Sequence, residues 1–120
     1  MNKENLLKTA DAIENGIPNV VFNMRHFKTL THNSSITQAC VIGYVAIINN
    51  FYNGDDLQEK IMKWLDMSYE EYTNLALPHD FDLEKITKEN AIDLLRYAAE
   101  VNVVDWSYVG LVSESNSLNP

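Results

Sequence analysis

The stretch Ser34-Ser-Ile-Thr-Gln-Ala-Cys-Val-Ile-Gly-Tyr-Val-Ala-Ile-Ile-Asn-Asn50 decides the fold. From Ala39 to Ile48 it is an apolar run interrupted only by Gly43. Ser35 and Gln38 have the spacing of a capping box, in which a side-chain oxygen accepts from the N–H three residues on and the third residue reaches back. The reading is a helix over residues 36–50, apolar nearly all round and therefore the central, most buried helix. Gly43 costs such a helix about 1 kcal/mol relative to alanine, so its presence points to a close approach of another backbone.

Working outward, four further helices surround this one. Residues 3–15 place Leu6, Ala10 and Ile13 on one stripe, and Gly16 with Pro18 ends the helix. Asp56 with Glu59 opens a helix with Leu57, Ile61, Trp64 and Leu65 on one face. Ser68 with Glu71 opens a short helix with Tyr72 and Leu75 inward, ended by Pro78. Thr87 caps a long helix over 88–101 whose stripe is Ala91, Leu94, Leu95 and Ala98, with Asn102 as its C-cap. The fold class expected is all-α, a compact bundle of about five helices. The segments 20–26 and 103–109 are the candidate partners for one short two-stranded pairing. A single domain over 1–112 and a disordered tail over 113–120 follow from composition.

The chain has 120 residues, 46% apolar and 10% aromatic, enough for a core without metal or disulfide. One cysteine forms no internal disulfide, so a reducing, cytoplasmic location is expected. The N-terminal segment reads neither as a signal peptide nor as a membrane span. The net charge is −8 and lies unevenly: residues 1–54 are nearly balanced, and the surplus of acids falls in 55–105. Such a surface repels phosphate backbones and attracts basic proteins. Direct nucleic-acid binding and membrane association are therefore not expected, and self-association is left open.

Three segments resemble a family. Thr37-Gln-Ala-Cys-Val-Ile-Gly-Tyr-Val-Ala46, Leu65-Asp-Met-Ser-Tyr-Glu-Glu-Tyr-Thr-Asn-Leu-Ala-Leu-Pro78 and the segment Ile86 to Trp106, ending Val-Asp-Trp, match in order the C-G-T-x-x-C-x-x-G-x-A, L-G-L-S-x-E-E and V-D-W segments of uncharacterised small helical proteins encoded by phages and mobile elements. The resemblance implies that origin, a bacterial host cell and a helical fold, and no reaction. Ser35 and Ile36 stand where that pattern has Cys-Gly, so only Cys40 remains of its cysteine pair.

The chemistry-bearing residues are few. Cys40 reads as a small apolar core residue, since a nucleophilic thiolate needs a neighbouring base. His26, His32 and His79 lack the paired spacing of zinc ligands. The loop from Asp80 to Ala91 begins like a calcium loop, with Asp80, Asp82 and Glu84, but has Lys85 and Ala91 where glycine and glutamate are required. No phosphate-loop, dinucleotide, serine-hydrolase or zinc-protease motif occurs. No catalytic residue, cofactor or metal is expected.

The function expected is non-enzymatic: an interaction protein of phage or mobile-element origin, an inhibitor of a host defence or nucleic-acid-binding protein through its acidic face. Asp55, Asp56, Glu59, Tyr69, Glu70, Asp80, Asp82 and Glu84 are its candidate contacts with a basic host protein. The alternative is a protein that binds or sequesters a signalling nucleotide, with Arg25, His26, Lys28 and His32 holding the phosphates.

Overall fold

The computed structural model of the protein describes residues 1–30, 36–52, 54–78 and 81–110. It is a helical bundle with a small sheet at one side. Five α-helices run Lys3–Asn15 (α1), Val41–Asn49 (α2), Leu57–Leu65 (α3), Tyr69–Ala76 (α4) and Lys88–Val101 (α5). Strands Val20–Phe22 (β1), Lys28–Leu30 (β2) and Thr37–Ala39 (β3) form the sheet, and 3₁₀ turns occupy Leu83–Lys85 and Trp106–Val109.

As read from its composition, α2 is the centre. Val41 to Ala46 are all buried, and α2 packs on α1, α3 and α4. The longest interface joins α1 to α5. It buries Leu6, Ala10 and Ile13 against the α5 stripe of Ala91, Leu94, Leu95 and Ala98. Burying one such leucine or isoleucine contributes about 1.5–3 kcal/mol. Thr9 is the one buried polar side chain among the described residues, and its hydroxyl donates to the Asn5 carbonyl at 2.9 Å.

The start of the central helix departs from the capping-box reading. Thr37 to Ala39 form β3, and the N-cap is Cys40; Ser35 lies outside the described residues. β3 is the middle strand of the order β1-β3-β2, parallel to β1 and antiparallel to β2. A capping box is worth about 1 kcal/mol. The strand instead satisfies backbone groups along both edges, and Asn23 adds a side-chain bond to Gln38 at 2.7 Å. The long-range pairing wins over the local cap.

The pairing of 20–26 with 103–109 is likewise replaced. β1 takes β3 as its partner, and Trp106–Val109 is a 3₁₀ turn. Asp105 accepts from the Ser107 N–H at 3.0 Å and turns the chain there. The buried Trp106 ring then reaches α4, its indole N–H donating to the Asn74 carbonyl at 2.9 Å. Satisfying that donor inside the core anchors the C-terminal segment as a strand edge could not.

The remaining helix signals act as read, with one exception. Ser68 with Glu71 and Thr87 with Asn90 are complete capping boxes. Asp56 is the N-cap of α3 but makes no side-chain cap bond; its carboxylate pairs with Lys60 at 3.4 Å. Asn102 closes α5 in the left-handed region, with φ 60°. The predicted tail over 113–120 lies outside the described residues.

Candidate binding cleft

Gly43 fixes how the cleft is built. A Cβ placed on it would lie 1.8 Å from the Phe27 carbonyl oxygen. The chain between β1 and β2 therefore rests directly on the first turn of α2. The Cys40 N–H donates to the His26 carbonyl at 2.7 Å, and the Cys40 thiol points at the Phe27 carbonyl at 3.9 Å. These contacts hold Met24, Arg25 and Phe27 along one side of a cleft of about 630 Å³. Cys40 and Ile42 of the α2 start, Leu57 and Gln58 of α3, Tyr72, Ala76 and Leu77 at α4, and Leu83 also line it among the described residues, with Gly54 and Asp55 at the edge.

The wall is mainly apolar. Cys40 and Tyr72 both line the cleft, and both are held protonated. Burial pushes the Cys40 thiol up, against the opposing pull of the Gly43 and Ile42 backbone N–H groups. Burial also raises Tyr72, and the nearby Cys40 adds to that shift. A thiol held neutral is a poor nucleophile. Among the described residues no imidazole lines the cleft.

The candidate protein-contact residues separate into groups. Asp55 lines the cleft, and Glu84 reaches its rim by pairing with Arg25 at 2.6 Å. Asp56 and Glu59 stand exposed on the adjoining first turn of α3. Tyr69, 66% exposed, and Glu70 open α4. Asp82 caps the 3₁₀ turn, accepting from the Glu84 N–H at 3.0 Å. Asp80 lies outside the described residues.

Two further acids of 55–105 line a different concavity. Asp93 and Glu100 stand on α5 in a second concavity, lined also by Arg96, Tyr97, Tyr108 and Val109. Among the described residues the two concave surfaces share no lining residue.

Two of the four candidate phosphate ligands have protein partners. Arg25 is engaged by Glu84. Lys28 directs its ammonium to the Phe51 carbonyl at 3.4 Å. His26 is half-buried, and His32 and His79 lie outside the described residues. Among the described residues no group of three or more His, Cys, Asp or Glu side chains is arranged to hold a metal ion. None of the helices there is long and apolar enough to cross a membrane.

Sequence reasoning located Cys40, Tyr72 and Asp55 but not the cleft they share, whose other wall is the loop of residues 23–27. The signal was Gly43: a glycine in a buried helix marks the point where a second backbone lies close. Comparison of the chain with protein families, curated proteins and solved structures finds no match. The likeness to phage-encoded helical proteins rests on the three quoted segments alone.

Proposed function

We propose that the protein is a non-enzymatic binding protein whose recognition surface is this cleft, and that its partner is a protein presenting an apolar side chain flanked by lysine or arginine. The observation that carries the reading is the combination at one place of an apolar wall with an acidic edge. Leu77, 53% exposed, and Leu83 offer anchoring surface. Asp55 and the exposed Glu59 have no ion-pair partner among the described residues, while Asp56 is matched by Lys60 and the Arg25 of the cleft wall by Glu84. An apolar centre with a charged rim is the common anatomy of a transient interface. The acid surplus speeds encounter with a basic partner. Blocking the basic surface of a host nucleic-acid-binding protein is the biological role that fits this chemistry.

The test is a calorimetric titration with a short peptide of alternating leucine and lysine. Binding that weakens as salt rises, and that Leu77→Asp and Asp55→Lys each reduce at least about fivefold, is the expected result. Absence of binding at low salt, or binding indifferent to Leu77→Asp, overturns the proposal.

A further inference from the structure

The second concavity, about 430 Å³ in volume, carries its own recognition chemistry. Tyr97 of α5 and Tyr108 of the 3₁₀ turn stack face to face, with centroids 3.6 Å apart and planes 11° from parallel. Tyr108 remains 59% exposed, so its outer ring face is open. Asp93 and Glu100 lie in the same concavity. On the helix surface, Arg96 is three residues from Asp93 and four from Glu100, the spacings at which it would ordinarily pair with them. Its guanidinium instead faces α1, bonding Glu14 at 3.0 and 3.1 Å and Asp11 at 3.4 Å. The local cation is thus already matched by two carboxylates. Asp93 and Glu100 have no counter-ion among the described residues.

We infer that this concavity is a binding site for an arginine side chain of a partner protein, stacked on the outer face of Tyr108 and held at its edges by Asp93 and Glu100. An aromatic face attracts a cation through the ring's negative quadrupole. A planar guanidinium suits the site better than an ammonium because it stacks on a ring and donates sideways to carboxylates at the same time. The charged groups around it are Asp11, Glu14, Arg96, Asp93 and Glu100, which leaves the surface net negative. The inference rests on the reading that the partner is basic, and it assigns that partner a second contact separate from the cleft.

The experiment is an NMR titration of the full chain with N-acetyl-arginine amide, following the ring signals of Tyr97 and Tyr108. The neutral isostere N-acetyl-citrulline amide and the ammonium analogue N-acetyl-lysine amide are run in parallel. A saturable shift with arginine, absent with citrulline and weaker with lysine, is expected. The Asp93→Asn/Glu100→Gln variant should weaken it at least about fivefold, Tyr108→Ala should abolish the Tyr97 response, and Leu77→Asp should leave it intact. Equal shifts with citrulline, no saturable shift, or full binding by Asp93→Asn/Glu100→Gln overturns the inference. Each variant's melting curve confirms that it is folded. Because the leucine–lysine titration reads the cleft and this one reads the tyrosines, either proposal can fail without the other.

Discussion

Gly43 is the residue on which the geometry turns. Its φ is not in the left-handed region, so the requirement for glycine comes from space alone. Gly43→Ala drives a methyl group into the Phe27 carbonyl, and backbone on both sides must part. The expected cost is about 2–3 kcal/mol, read as a lower urea midpoint with an unchanged slope, together with loss of the cleft's loop wall. Cys40, next to this contact, behaves as packing. Its raised pKa means that the unfolded chain loses the thiol proton first as pH rises. The thiol therefore leaves stability untouched below the ordinary thiol range, roughly pH 8.5, and lowers it progressively above that. Cys40→Ala should flatten that alkaline decline. The native thiol, 4% exposed, should react with an alkylating reagent only through local opening of its surroundings, far more slowly than in the unfolded chain.

At the scale of elements, the caps make separable contributions. Ser68→Ala and Thr87→Ala each remove the side-chain acceptor of a capping box, leaving the Glu71 or Asn90 backbone N–H without its cap bond, and should cost about 1 kcal/mol, measured by thermal unfolding. Asp56→Ala should cost less, since Asp56 makes no cap bond and its ion pair with Lys60 is exposed. The α1–α5 interface has an acid-sensitive edge. Arg96 holds the Glu14 carboxyl below its usual range, chiefly by hydrogen bonding and then by charge. That contribution is present above the ordinary glutamate pKa, about 4.3, and is lost as pH falls through the lower native value. Arg96→Gln should thus be less stable than the parent at neutral pH and converge with it in acid. Helix positions and stripes were legible in the sequence because capping and periodicity are local. The strand at 37–39 was not: Ser35 and Gln38 carry a genuine helix-start signal, and the sheet that overrides it joins segments 17 residues apart in the chain. The docking of Trp106 on α4 was not legible for the same reason, since the acceptor of its indole N–H is the carbonyl of Asn74, 32 residues away.

For the whole molecule, the net charge of −8 does not say how the acids divide among its concave surfaces. Asp55 and Glu84 gather at the cleft while Asp93 and Glu100 flank the tyrosine stack. Linear order could not separate them, because α5 leaves the cleft to pack along α1. The same arrangement tests the nucleotide alternative. Arg25 is engaged by Glu84, so an anionic ligand must compete with that carboxylate. Glu84→Gln should strengthen binding of a nucleoside monophosphate if Arg25 holds its phosphate, and should change nothing at the cleft if the occupant is basic. Equilibrium dialysis of the two proteins separates these outcomes.

The bond from the Trp106 indole to α4 gives the protein an intrinsic optical gauge. α4 supplies Tyr72 and Ala76 to the cleft on one side and a carbonyl to the indole on the other. A guest that shifts this helix alters the polarity around a shielded fluorophore. With Trp64 replaced by phenylalanine to silence the second emitter, occupancy of the cleft should register as a change in emission wavelength, with no attached dye.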